Sequence, residues 1–331
     1  MAGISWFQEY ATVKPFSLSL RLAFRLLVLS VVALSVVAGS LAAAQQAAPK
    51  PPMIPSGETR KLTAHTYAIE DKDTTPGVPN IGFVVGSRGV LVIDTGMGPR
   101  NGKVVAAEAQ KLAPGHQLYL VTTHVHPEHD LGAEAFPPQS KMIRSADQEK
   151  DIAQYGLSMA NTFIARSTVN AELLTGANFR TADIHFDKSY DLDLGGVAVR
   201  ILAMGPNHTR GDTAIWVPAD RVLFSGDVAM KGLPSFASPD SSVKQWLASL
   251  QTFAALKPAI VVPSHGPIGD ATYITGYESL LTTVRDRTAA LKRQGKSLDE
   301  ATSTLTAELK PKYADTNRLA GAIRAAYAEA S

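Results

Sequence analysis

Residues 122–130 read Thr-Thr-His-Val-His-Pro-Glu-His-Asp, which places His124, His126 and His129 within six positions, with Glu128 between the last two. The chain has eight histidines, so this short window takes three of them. A loop crowded with imidazoles and a carboxylate repels itself on protonation and gains nothing from packing. A divalent cation is the simplest partner that makes it favourable. Imidazole nitrogen with carboxylate oxygen points first to zinc, with iron and manganese as alternatives. The chain has no cysteine, so any such site must be built from His, Asp and Glu.

The loop follows the apolar run Leu118-Tyr-Leu-Val121, and the segments around it repeat that arrangement. Strands are predicted at Leu62–Ile69, Ile81–Val85 and Arg88–Ile93, the last ending at Asp94-Thr-Gly96. Val104–Leu112 is Ala-rich and helical, with Gly115 soon after it as a stop signal. Ala146–Ala165 is predicted to be helical and to cover the site. In the second half, Val197–Ala203 runs into Gly205-Pro-Asn-His208. Ala214–Val217 and Arg221–Phe224 follow as strands, the second leading to Ser225-Gly-Asp227. After a helix over Val243–Leu256, Ala259–Val262 ends in Pro263-Ser-His265-Gly266. A long helix over Tyr273–Arg293 and two shorter ones complete the chain. Two β-then-α halves of this kind predict an α/β fold with two sheets face to face and helices outside. Asp94, the His124–His129 loop, His208, Asp227 and His265 then share one address, just past strand ends, where rigid scaffolds present chemistry.

As a set, these residues resemble the signature of the metallo-β-lactamase superfamily, over residues 62 to about 290. The resemblance implies an αββα sandwich with metals at the edge between the sheets. It implies that His124, His126 and His208 hold a first ion, and that His129 and His265, with Asp227, hold a second. Asp94 matches a residue that orients the histidine loop. Glu128 stands where the family usually has Asp; its extra methylene puts the second ion in question, so one or two Zn2+ per chain are expected. Asp227, in place of the Cys common in lactamases, is closer to glyoxalase II-like hydrolases.

The resemblance implies hydrolysis of a carbonyl bond (β-lactam, lactone, ester or thioester) in a small-molecule substrate, with water activated by the ion and Glu128 or Asp227 handling its proton. A single iron supporting persulfide dioxygenase-like sulfur oxidation is one alternative. A non-catalytic periplasmic accessory protein of a quinoprotein system is another. Substrate choice is expected to sit in residues 71–80, 146–178 and the stretch after Asp227, with Arg210 and Lys231 as candidate partners for a substrate carboxylate.

The N-terminus has a different character. Lys14, Arg21 and Arg25 precede the apolar and small-residue run Leu26–Ala38, and Ala42-Ala43-Ala44 fits a cleavage site. Residues 1–44 are therefore expected to be a secretory signal for a periplasmic or secreted protein. The run is short for a membrane span, which makes an uncleaved N-terminal anchor the lesser alternative. Residues 45–58 carry four prolines and are expected to form an extended linker before a catalytic domain over 59–331. Residues 1–44 contain Lys14, Arg21, Arg25 and one acidic residue, Glu9, so their removal takes the net charge from +2 to 0. That balance gives no electrostatic basis for binding nucleic acid. In an exporting bacterial host the mature chain should begin near Gln45, and N-terminal sequencing checks this. An intact Met1 in the membrane fraction would mean an anchor.

Overall fold

Strand β4, Gly89–Ile93, is buried along its whole length. Its sequence Gly-Val-Leu-Val-Ile has no polar side to offer water, as suits a strand covered on both faces. The computed structural model describes residues 53–313 and 316–331, and the signal sequence expected over 1–44 lies outside them. Pro52–Ser331 form one compact unit. Strand β4 belongs to a seven-stranded sheet ordered β1 (Arg60–Lys61), β2 (Thr66–Ile69), β3 (Ile81–Val85), β4, β5 (Gln117–Val121), β6 (Lys141–Ser145), β7 (Ile184–Phe186). Strands β1 to β4 pair antiparallel, and β4 to β7 pair parallel. A five-stranded sheet packs against it in the order β12 (Ile260–Pro263), β11 (Val222–Gly226), β10 (Thr213–Val217), β9 (Ala198–Ala203), β8 (Ser189–Asp193). There only β11 and β12 run parallel.

The sheets meet through one apolar layer, with Leu91, Ile93 and Val121 on one side and Ile201, Ile215 and Phe224 on the other. Each such side chain contributes roughly 1.5–3 kcal/mol by leaving water. The helix Gly98–Leu112 covers the outer face of the larger sheet through Val105, Ala106 and Ala109. The helices Val243–Leu256, Thr272–Arg293, Leu298–Leu309 and Leu319–Glu329 cover the smaller one around Trp246 and Phe253. This is the expected αββα sandwich. Among the described residues no helix is long and apolar enough to cross a membrane.

The elements depart from expectation in three places. The predicted strand Leu62–Ile69 is a turn followed by the short β2, because Thr63, His65 and Thr66 turn to bond Asp220. Strands β6 to β8 escaped prediction because polar residues interrupt their pattern; Arg144 in β6 is a buried guanidinium that reads as surface. The helix predicted over 146–165 is present, as Ala146–Asp151 and Leu157–Arg166 with a π turn at Ile152–Gly156 between them. The linker expected over 45–58 is structured where it is described. Ile54 is buried and its N–H donates to Asn101 Oδ1 at 2.9 Å, while Ser56, Gly57 and Thr59 bond Glu108.

Arg144 anchors the histidine loop from below. Its Nη2 donates to both oxygens of Asp130 at 2.9 and 2.8 Å, and Thr122 Oγ1 donates to Asp130 Oδ2 at 2.7 Å. Both charged partners are fully buried. Removing one leaves the other uncompensated, so Arg144→Ala should destabilise the fold by about 3–5 kcal/mol, measured by urea unfolding.

Candidate metal centre

Asp94 leaves β4 with φ of 62°, a left-handed conformation that costs a non-glycine residue energy. Its carboxylate shows what holds it there. Oδ1 accepts from Thr123 N at 2.7 Å, and Oδ2 from Thr123 Oγ1 at 3.0 Å and His129 Nδ1 at 2.8 Å. The next parallel strand, β5, delivers Thr122–His126, and Pro127 starts the short helix Pro127–Asp130 that carries Glu128 and His129. The smaller sheet supplies the rest: His208 from the β9–β10 loop, Asp227 just after β11 and His265 just after β12. Gly226 has φ of 61° at the irregularity where β11 leaves its pairing with β12, and it turns the chain so that Asp227 faces the site.

The structure brings His124, His126, Glu128, His129, His208, Asp227 and His265 together. His126 Nδ1 lies 3.0 Å from His124 Nε2 and 3.3 Å from His208 Nε2. The far nitrogen of His208 donates to Ser235 O at 2.6 Å, and that of His124 faces Thr123 Oγ1 at 3.1 Å. The inward nitrogens of His208 and His124 are thereby left with their lone pairs. Nitrogens held about 2.0–2.1 Å from one tetrahedral ion sit roughly 3.3 Å apart, which is the spacing found. A second group, Glu128, His129 and His265, and a third, His124, His129 and Asp227, also have ligand atoms within 4.8 Å of one another. His129 and His265 each spend Nδ1 on a fixed acceptor, Asp94 and Val78 O, and turn Nε2 inwards. Glu128 Oε2, His129 Nε2 and Asp227 Oδ1 are buried without a hydrogen-bond partner. Buried polar atoms rarely go unsatisfied, and a cation among them is what this donor set fits.

Sequence patterns could not reveal the carbonyls of Ser235 and Val78, since any residue offers one. Asp212 was also missed. It accepts from His208 N at 2.7 Å and from Thr209 Oγ1 at 2.7 Å, and its position four residues after His208 was the available signal. Arg210, a candidate for binding substrate, is instead occupied by Asp240 and Gln154. Lys231 does line the pocket above the histidines, a cavity of about 670 Å3. Its walls come from Thr74–Gly77, from Asp151–Arg166 and from Met230–Pro239, the three stretches expected to control substrate choice.

Residues 74–265 match the Metallo-beta-lactamase superfamily, which is more than half of the chain. The chain belongs to this superfamily. It is 22% identical over 243 residues to metallo-beta-lactamase type 2 of Elizabethkingia meningoseptica, covering 71% of this chain and 89% of that one. It is 25% identical over 238 residues to a linear primary-alkylsulfatase of Pseudomonas, covering 62% and 44%. It is 21% identical over 212 residues to the alpha subunit of 2,4-dinitroanisole O-demethylase of Nocardioides, covering 64% and 58%. The chain thus spans about half the length of the latter two relatives. Among solved structures, a metallo-beta-lactamase from Pontibacter korlensis superposes with a TM-score of 0.52 at 22% identity, over 68% of this chain and 98% of that one. A sec-alkylsulfatase from Pseudomonas gives 0.64 at 14% identity, over 82% and 50%. These likenesses establish the shared fold.

The electrostatics of this superfamily member follow from burial and crowding. Burial, then the neighbouring histidines, hold His124 and His126 well below the usual imidazole range, so both stay neutral. Burial would raise the carboxyl of Asp227, but His208, His265, His129 and His126 outweigh it and hold it at about 2. Burial would also lower His129, yet Asp94, Glu128 and Asp227 raise it to about 9. Its folded value thus lies above the ordinary 6.5, so in metal-free protein it favours folding fully below pH 6.5 and loses that contribution as pH rises through 9. Metal-free protein should therefore melt at progressively lower temperature between pH 6.5 and 9. Zinc-loaded protein, in which the ion takes the proton's place, should not show this loss. Thermal melts with and without chelator check the contrast.

Proposed function

We propose that the chain is an exported, metal-dependent hydrolase acting on a carbonyl-centred bond (β-lactam, lactone, ester or thioester) in a small molecule. The observation that carries this reading is the convergence of His124 Nε2, His126 Nδ1 and His208 Nε2, 3.0–3.3 Å apart, beneath a cavity of small-molecule size. The superfamily is mostly hydrolytic, and the similar proteins include enzymes named as a β-lactamase, an alkylsulfatase and an acyl-coenzyme A thioesterase.

In this reading His124, His126 and His208 hold a first zinc, and Asp227, His129, His265 and Glu128 hold a second. Zinc, when bound, supplies Lewis acidity that brings the pKa of water from 15.7 to about 7 and polarises a carbonyl oxygen. The protein does the rest. Asp94, Ser235 O and Val78 O fix the rings of His129, His208 and His265, so the nitrogens need not reorganise during reaction. With only the first ion bound, Glu128 Oε2, otherwise without a partner, would take up the proton of the attacking water and return it to the leaving group. Val125, Met159 and Phe163 exclude bulk water from one side of the cavity.

The test is metal analysis of the purified protein together with a hydrolysis panel of nitrocefin, a lactone, a thioester and a simple ester. One to two equivalents of zinc and turnover of at least one member are expected. His124→Ala should fold yet lose zinc and lower that turnover by more than about 100-fold, a larger loss than removing an outer partner of a ligand. A protein that binds no transition metal when zinc is supplied, or a His124→Ala variant with unchanged turnover, would refute the reading. Iron content with oxygen consumption would instead favour sulfur oxidation.

A further inference from the structure

The cavity above the histidines has an uneven rim. Three cations line it, each from a different segment: Arg166 at the end of the helix Leu157–Arg166, Lys231 after β11, and Arg318. All three are exposed, and among the described residues none forms an ion pair with a carboxylate. This sets them apart from other arginines nearby. Arg210 is bound by Asp240, and Arg144 by Asp130. Arg166 instead lies over the ring of Phe163, 3.8 Å from its centre, which fixes its guanidinium at the mouth. Arg318 is tethered by a weak bond from Nη1 to Leu233 O at 3.4 Å, leaving most of its donors free. It is also the N-terminal cap residue of the helix Leu319–Glu329, whose positive end adds to its charge.

The carboxylates of the cavity do not neutralise this rim. Glu128 and Asp227 belong to the metal group, and Asp151 is almost wholly buried, with one oxygen accepting from Gly211 N at 2.8 Å. Apolar side chains also line the cavity, Val125, Met159, Phe163 and Met230, alongside polar ones such as Tyr155 and Thr162. The arrangement suits a ligand with its reacting group at one end, an apolar middle and a negative charge at the other.

We propose that Arg166 and Arg318 form an oxyanion-binding rim that selects substrates carrying an oxyanionic group remote from the scissile bond. Arginine suits this task because its planar fork of donors matches an oxyanion, and charge-assisted bonds are about twice as strong as neutral ones. The proposal rests on the reading that the scissile bond lies at the histidine cluster. It lies partly outside the segment that defines the superfamily, since Arg318 falls beyond residue 265.

The experiment measures binding and needs no turnover. The zinc-loaded full chain is titrated calorimetrically with octanedioate and with octanoate. Both place one carboxylate at the metal end, but only octanedioate has a second for the rim. Octanedioate should bind at least about tenfold more tightly, a difference of about 1.4 kcal/mol. In the double variant Arg166→Gln/Arg318→Gln that ratio should fall to near one with octanoate affinity unchanged, and Arg166→Lys/Arg318→Lys should keep part of it. Both side chains are exposed, so the variants are expected to fold, and the two single glutamine variants supply the same readout if the double one does not. Equal affinities in the unmodified protein, a ratio that survives the double substitution, or no binding of either ligand would overturn the proposal. A protein that prefers octanedioate but hydrolyses nothing in the panel would refute the hydrolase reading and leave the rim standing.

Discussion

The carboxylate of Asp94 is the fixed point on which the centre depends. It holds its own backbone at a positive φ, binds the start of the histidine loop through Thr123, and sets the ring of His129. Thr95, the next residue, takes the carbonyl of His129 with its N–H at 2.8 Å, so the loop is closed from both ends. The smaller sheet is joined to the same point, because Thr213 N donates to Thr123 O at 2.8 Å. A strained residue persists where its surroundings over-determine it, and here the surroundings are the ligand-bearing loops themselves.

Neither sheet holds a complete set of donors. The larger contributes His124, His126, Glu128 and His129, and the smaller contributes His208, Asp227 and His265. The centre therefore forms only where the apolar layer between the sheets has packed. Asn80 makes the same connection near β12, with its amide nitrogen donating to Pro263 O and Gly266 O, both at 2.8 Å. Precision at the ligands is thus a property of the sandwich as a whole.

The ligand set and the sandwich were legible in the sequence because each ligand follows an apolar run; those runs mark β4 with β5 and β11 with β12, which pair parallel, and the antiparallel β9 before His208. Strands β6 to β8 were not legible. Arg144 satisfies its charge against Asp130, a partner fourteen residues away, and no local pattern announces that pairing. Strand β8 exposes three of its five residues, so it lacks the apolar run that marks β4. The ring orientations of His208 and His265 depend on backbone carbonyls at Ser235 and Val78, which carry no residue-type signal. The residue at position 128 read as a departure, yet its longer side chain still brings Oε1 within 3.9 Å of His129 Nε2 and 4.0 Å of His265 Nε2.

The π turn at Ile152–Gly156 sits between two fixed regions. Before it, Gln148 and Asp151 bond Thr122 and Gly211 beside the ligand loops. After it, Met159, Thr162 and Phe163 form the wall of the cavity. A π turn holds one residue more than an α-helical turn, and one residue corresponds to about 100° of rotation. The wider turn absorbs that rotation, so Met159, Thr162 and Phe163 keep the face they would hold on an unbroken α-helix, and a residue can be gained or lost there while the metal group stays in place. The cover of the cavity thus has a point of slack that is separate from its chemistry.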